Sequence, residues 1–516
     1  MAEMNIKQII DRLNAGFTGD TRKLVFWYDD NGEFVEDMQT VTLDNAKVYF
    51  LQPDNQFATK LFLERQDTTT NYLIYAPFPK PDVRDNHLED TLLYSKRFFA
   101  DRASLLSVDL GIDEKYKPII EKHIKFFGSK ERTQRFYDLE IENFNEENII
   151  TGLLSAICRT RTCSFEEVIR VMLTDSTLED NKFLIETEKY GLLGDFWKLC
   201  EQHFGYADVK PTLEKLVVTM FVTYTAKYVA CELPKPWKVF SSYKAGNIIA
   251  FIDNLMNNIL YRSRYDELSA HVAAGLNAQT VFSDYPPEDL INCDTFAAID
   301  QILIKWIVER LVAEDTGAKL DELTIPQICE KRSKMHFGEK VGSRYQMLSS
   351  AYQMIQAGNY HCPDSFKDIL RQYQETDLGL DYEYRRFYSA YDLIEDTTAF
   401  EPLRDLVENI YTNEYLETLL PKWNSAIQEP DAFTQLPLQR DFYARDVKNV
   451  KERTVVIISD AMRYEVGKEL FRRMQDDPKC SAKLEVQLSV LPSYTRLGMA
   501  ALLPHTELTM TDNFKV

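Results

Sequence analysis

Thr454-Val455-Val456-Ile457-Ile458-Ser459 runs directly into Asp460-Ala461-Met462-Arg463-Tyr464-Glu465, and further on stands Leu491-Pro492-Ser493-Tyr494-Thr495-Arg496-Leu497-Gly498-Met499. The first run is continuously apolar and too short for a buried helix. It predicts a fully buried parallel strand with Asp460 at its carboxyl end, where open α/β sheets place their chemistry. A second apolar-leaning run, 484–491, precedes Thr495, which opens a small-residue helical pattern over 496–503. Between the two runs the pattern predicts one crossover: a helix over about 464–474, a turn at Asp476-Asp477-Pro478, then the second strand. Asp460 and Thr495 are thereby expected to point into one crevice.

A carboxylate and a hydroxyl so placed suit a divalent cation that lowers the pKa of the threonine hydroxyl and makes it a nucleophile toward phosphorus. The helix opening at Thr495 would offer free amide N–H groups to phosphoryl oxygens. Each residue taken alone also fits a helix cap, a common role for Asp and Thr at such junctions. The pair is more specific than either member. Arg463 and Tyr464, just beyond Asp460, are candidates for touching substrate, and helix packing explains them equally well.

The stretches VVIISDAMRYEVGKEL and LPSYTRLGMAALLPH resemble the PglZ family, the alkaline-phosphatase-superfamily proteins of BREX and phage-growth-limitation defence systems. The segments Lys7-Gln8-Ile9-Ile10 and Val25-Phe26-Trp27-Tyr28-Asp29-Asp30 look like the same family, so the likeness spans the chain. The resemblance implies that Asp460 is a metal ligand and Thr495 the metal-bound nucleophile. It implies a two-ion site in the intact protein, filled by Zn, Mn or Mg. The superfamily draws further Asp and His ligands from later in its sequence order, and His505 is the sole histidine after Thr495. By resemblance, the chain therefore looks like the amino-terminal part of a longer protein, cut off inside its catalytic domain and inactive by itself. The implied activity of the intact protein is metal-dependent phosphoryl-transfer hydrolysis, as a phosphodiesterase or nuclease. The implied partners are BrxB, the BrxC/PglY ATPase and the PglX methyltransferase, with DNA as a candidate for the intact protein. The alternative is a non-catalytic scaffold, whose helical region docks partners within the defence complex.

Composition narrows the class. With 516 residues, 45% of them apolar, the chain is long enough for several domains with their own cores, and general disorder is excluded. Its eight cysteines contain no CxxC pair, which suits a reducing cytoplasm rather than a disulfide framework. Cys200-x-x-His203 and His361-Cys362 lack second halves for a zinc site, so buried thiols are expected there. No secretory signal pattern opens the sequence, and the most apolar helix candidate, 216–231, is interrupted by Lys227 and falls short of a membrane span. The net charge of −21 opposes long-range attraction to nucleic acid, although metal ions can supply local positive charge in an acidic protein.

The fold class expected is α/β and α, in three parts: a small α/β domain over 1–85, a mainly helical region over 86–430, and the beginning of an alkaline-phosphatase-like sheet domain over 431–516. Ile6, Ile9, Ile10, Leu13 and Phe17 mark a first helix face, followed by strand candidates at 24–28, 47–51, 60–64 and 72–78. Asp29-Asp30-Asn31-Gly32 fits a turn better than a metal site built with Glu64. Pro77, Pro79 and Pro81 then break the pattern. Ile248, Ile252, Leu255 and Ile259, and later Ile302, Trp306 and Leu311, follow helical spacing. The cluster Tyr382, Tyr384, Phe387, Tyr388 and Tyr391, interleaved with Arg385 and Arg386, could stack bases but is expected to pack helices. The stretch 423–443, with Pro430 and Pro437, reads as a connector. Gly338-Glu339-Lys340-Val341-Gly342-Ser343 has the wrong spacing for a phosphate-cradling loop.

Overall fold

Alternation within three short strands builds the first core. The computed structural model describes residues 2–100, 102–429, 432–434, 436–512 and 515–516. β1 (Leu24–Tyr28), β2 (Lys47–Phe50), β3 (Tyr72–Ala76) and β4 (Lys96–Arg97) form one sheet in the order β2-β3-β1-β4, with every pairing parallel. Successive side chains point to opposite faces, so Val25, Trp27, Leu73 and Tyr75 enter one cluster with Ile9, Leu13 and Phe17. Leu24, Phe26, Tyr72 and Ile74 enter the opposite cluster with Leu63 and Leu88. Both faces are thus covered, as a parallel sheet requires. The first helix, Ala2–Gly16, supplies the predicted apolar face through Ile9 and Leu13; the side chain of Ile6 lies outside the described residues.

The strand expected at 60–64 is a helix. Gln56–Leu61 is α-helical and continues as a π turn, Phe62–Gln66. Thr59 and Leu63, four apart, carry its buried face. Its end is closed by Arg22, whose guanidinium donates to the carbonyls of Leu63 (2.8 Å), Asp67 (2.6 Å) and Thr70 (2.9 Å). Three carbonyls satisfied by one planar fork outweigh a short apolar run that alternates poorly. Glu64 accepts from Thr91 and Tyr94, away from any metal-like grouping. The Asp29–Gly32 stretch is the expected turn: the Gly32 amide donates to the Asp29 carbonyl, Gly32 has φ +67°, and the buried Asp29 carboxylate accepts from the Phe34 amide (2.8 Å) and the Tyr75 hydroxyl (2.5 Å).

The chain forms two compact units. One comprises the residues up to Lys227 with Leu233–Val272; the other comprises Tyr228–Glu232 with Ala273–Val516. In the first, the sheet is followed by helices. Glu146–Cys158 is capped by the Asn145 side chain, which accepts from the Asn148 amide, and is buried without interruption from Ile149 to Cys158. Phe165–Thr174 and Leu193–Phe204 also belong to this unit. Ala245–Asn257 buries Ile248, Ile252 and Leu255 as predicted. It ends before Ile259, which is 89% exposed, so that residue is no part of the seam. Cys158, Cys200, Cys293, Cys329 and Cys362 are buried free thiols. His203 pairs with Glu147 at 2.9 Å. No described helix is long and apolar enough to cross a membrane.

The second unit is organised around a buried cation. Arg332, fully buried on the helix Ile325–Ser333, makes a bidentate pair with Asp300 (2.9 and 2.8 Å) and donates to the Cys293 carbonyl (2.7 Å). Asp300 also accepts from Tyr345 (2.6 Å), and burial pushes the neighbouring Asp294 carboxyl up while Arg332 draws it down. A Cβ on Gly338 would lie 1.8 Å from the Arg332 carbonyl oxygen, so only glycine fits where Gly338 passes this site. The helices Gly342–Gln356 and Leu378–Tyr391 pack on each other. Tyr384 stacks on Tyr411 with ring centroids 3.7 Å apart, Phe387 is fully buried, and Tyr384 and Tyr388 both donate to Glu408. This is the helix packing expected of the aromatic cluster. Burial, aided by Glu408, pushes Tyr384 up to about 12.

The mixed α/β class and the helical middle region are therefore found as expected, while the sheet expected at the carboxyl end is not formed among the described residues. The helix Tyr464–Gln475, the turn after it and the helix Thr495–Leu502 fall where the sequence places them. Among the described residues the runs 454–459 and 484–491 make no strand, and Val455 and Ile457 are 74% and 87% exposed. The sole pairing in this region among the described residues is an isolated parallel bridge, Leu438 to Leu488. A parallel strand gains its hydrogen bonds and its buried faces from neighbours, and here 454–459 has none. Of the connector, Pro430 lies outside the described residues, and Leu436 and Leu488 pack against the cluster of Cys362, Phe366 and Ile369.

Replacing Arg332 by Met leaves Asp294 and Asp300 buried without their cation, which costs about 3–5 kcal/mol. Urea unfolding of Arg332→Met is expected to show that loss, and adding Asp300→Asn to recover part of it; an unchanged midpoint would contradict the account of Arg332.

Candidate active site

The run ending at Ser459 delivers Asp460 to a reversal of the chain. Asp460 accepts from the Ala461 amide (3.0 Å), and Ala461 takes the left-handed conformation with φ +56°. The chain then enters the helix Tyr464–Gln475 through Arg463, whose extended backbone opens the helix without a side-chain cap. Asp460 therefore caps its own turn and leaves the start of this helix to other groups. Thr495 is the first residue of Thr495–Leu502, preceded by Tyr494 in an extended conformation, and no side-chain cap closes this end either. Neither residue plays the helix-cap role that competes with chemistry.

Asp460, Arg463, Tyr464 and Thr495 all line one cleft of about 790 Å³. Both Asp460 and Thr495 are solvent-exposed. Gln439 also lines the cleft, and donates to the Gly498 carbonyl (3.4 Å) and accepts from the Val490 amide (3.0 Å). Its own amide donates to the Leu488 carbonyl (2.9 Å), and the Leu488 amide donates to the Pro437 carbonyl (2.9 Å). One glutamine thus ties the connector to the segment before Thr495 and to the helix after it.

Arg385 also reaches this cleft, from the helix Leu378–Tyr391. Its guanidinium donates to both oxygens of Glu465 (3.0 and 3.1 Å) and to Glu469 (2.8 Å). Glu465 is buried, and Arg463 donates to it at 3.3 Å. The pairing with Glu465 raises the Arg385 pKa, and Arg385 with Arg473 draws Glu469 down. Tyr464 lies beside Tyr373, ring centroids 6.4 Å apart, and Tyr373 donates to Asp381 (2.6 Å). Gln439 and the Arg385–Glu465 pair carry no motif, because 80 residues separate Arg385 from Glu465. The one signal available was the pair Arg385-Arg386 inside an otherwise aromatic helix.

Asp460 and Thr495 offer hard oxygen donors of the kind that divalent cations take. Two side chains are fewer than such an ion needs, and among the described residues no group of three or more His, Cys, Asp or Glu side chains gathers to complete a cage. His505 lies apart from such a set, with Nδ1 2.8 Å from the Leu503 carbonyl.

Residues 441–516 match the family described as the BREX system PglZ alkaline phosphatase-like domain. The chain is 34% identical over 531 residues to the alkaline phosphatase-like protein PglZ of Bacillus cereus (strain H3081.97), a match covering 99% of this chain and 62% of that protein. It is 28% identical over 540 residues to the alkaline phosphatase-like protein BrxZ of Escherichia coli O9:H4 (strain HS), covering 98% of this chain and 61% of that one. No solved structure matches the chain. The chain thus spans about three fifths of the length of these curated relatives. It is similar to these PglZ and BrxZ proteins over nearly its whole length, and residues 441–516 match the alkaline phosphatase-like family model.

Proposed function

We propose that the intact protein is a divalent-metal-dependent phosphoryl-transfer hydrolase of a BREX anti-phage system, acting on phosphodiesters, with Asp460 as a metal ligand and Thr495 as the nucleophile. The observation that carries this is the single cleft onto which both residues open, neither spent on capping a helix, inside the segment that matches the alkaline phosphatase-like family. A bound divalent cation, Zn, Mn or Mg, would supply the positive charge that favours the Thr495 alkoxide and neutralises phosphoryl oxygens. Thr495 Oγ1 would then attack phosphorus as the ester oxygen leaves, and water would later release the phosphoryl group from Thr495. Thr495 opens the helix Thr495–Leu502, whose first-turn amides would donate to phosphoryl oxygens brought to that end. Arg463 and Tyr464 border the loop and are the proposed substrate contacts. The remaining ligands are to be sought in the part of the relatives that lies outside the matched length.

BrxB, the BrxC/PglY ATPase and the PglX methyltransferase are the proposed partners, and a cytoplasmic location follows from that assignment. DNA is a proposed substrate only of the assembled site. A net charge of −21 would repel a bare phosphate backbone, so bound cations would have to offset it locally.

In the full-length protein, Thr495→Ala and Asp460→Ala are each expected to abolish hydrolysis of bis-p-nitrophenyl phosphate in the presence of Mn²⁺ or Zn²⁺ without shifting the unfolding midpoint. Near-wild-type turnover by Thr495→Ala would remove it as the nucleophile. For the 516-residue chain, calorimetric titration with the same ions is expected to show no tight stoichiometric binding; a tight site lost in Asp460→Ala would mean that the cage is complete within this sequence.

A further inference from the structure

The helix Tyr464–Gln475 follows the Asp460 loop directly, yet it is anchored in an unusual way. Its single buried residue is a carboxylate, Glu465, while Leu470 and Met474 on the same helix are 46% and 37% exposed. Apolar burial, which holds most helices in place, contributes little here. What replaces it is Arg385, whose fork grips both Glu465 oxygens and reaches Glu469 one turn on. A planar guanidinium on a carboxylate fixes orientation as well as distance, and two acceptors one turn apart set the rotation of the helix about its axis. Arg385 stands on Leu378–Tyr391, outside residues 441–516, and that helix is in turn locked by its aromatic packing.

The connection to Asp460 is short. Glu465 is in the first turn of its helix, Arg463 donates to the same carboxylate, and between Arg463 and Asp460 stand only Met462 and the left-handed Ala461. Rotating or releasing the first turn must therefore swing the loop that presents Asp460. Among the described residues no strand pairs with 454–459, so no sheet there holds the rest of that loop.

We infer that Arg385 is a positioning residue for the Asp460 loop: the helical region outside the family domain sets the direction of the candidate metal ligand through one ion-paired carboxylate. The functional half of this inference rests on Asp460 being a ligand; the mechanical half does not.

Hydrogen exchange on the 516-residue chain tests the mechanical half. Arg385→Met is expected to speed amide exchange in the helix Tyr464–Gln475 by about tenfold or more, through local opening, while Glu146–Cys158 exchanges as in the wild type. Unchanged exchange in 464–475 would overturn the inference. If Arg385→Met fails to fold, Glu465→Gln, which keeps the shape and removes the charge, carries the same test.

Metal dependence in the full-length protein tests the functional half. Arg385→Met is expected to raise the Mn²⁺ concentration for half-maximal hydrolysis about tenfold, with partial rescue by Arg385→Lys and a near-normal rate at saturating Mn²⁺. Faster exchange with an unchanged Mn²⁺ requirement would reduce Arg385 to a structural tether and overturn its positioning role. Absence of metal-dependent turnover in the wild type would sink the hydrolase proposal alone, and the exchange result would still decide whether Arg385 holds the loop.

Discussion

Every strand needs a neighbour that takes its amide hydrogens and offers its carbonyls, and that requirement separates the amino-terminal sheet from the segment 454–491, which forms no sheet among the described residues. β1 is flanked by β3 and β4, and β3 by β1 and β2, so the sheet buries both faces of its two inner strands. The run 454–459 has four consecutive apolar residues, yet Ile457 stands 87% exposed, and among the described residues no strand pairs with it. Apolar character alone does not bury a strand. The loop after this run must be held by other means.

Charge is the means used in the second unit, at two depths. Arg332 is sealed in the interior and balanced by Asp300, with Asp294 nearby, an arrangement that tolerates the loss of no single partner. Arg385 is half-buried and meets a Glu465 that is wholly buried, so the carboxylate depends on the guanidinium more than the reverse. Gln439 adds a neutral tie between the connector and the segments on either side of Thr495. These polar contacts do for the carboxyl-terminal segment what paired strands do for the amino-terminal sheet.

The cleft has both Asp460 and Thr495 in its lining, Thr495 at the start of the helix Thr495–Leu502. It is open and incomplete as a metal cage among the described residues. The chain covers about three fifths of the relatives named PglZ and BrxZ.

Local spacing was enough to read much of the chain. Short apolar runs placed β1 and β3, the three-to-four-residue period placed Ala245–Asn257, the crossover pattern placed Tyr464–Gln475, and Asp29-Asp30-Asn31-Gly32 announced its turn, because each of these is decided by neighbours within a few residues. The pattern around Asp460 and Thr495 likewise singles out two residues that line one cleft. The sequence could not show that 56–66 coils into a helix, since the decisive contact is Arg22 reaching three distant carbonyls. Nor could it show that 454–459 lies open, that Glu465 is buried, or that Arg385 is its partner. Those outcomes depend on which segments meet across tens of residues, and only the tertiary structure decides whether a strand has a neighbour or a buried charge has its counterion.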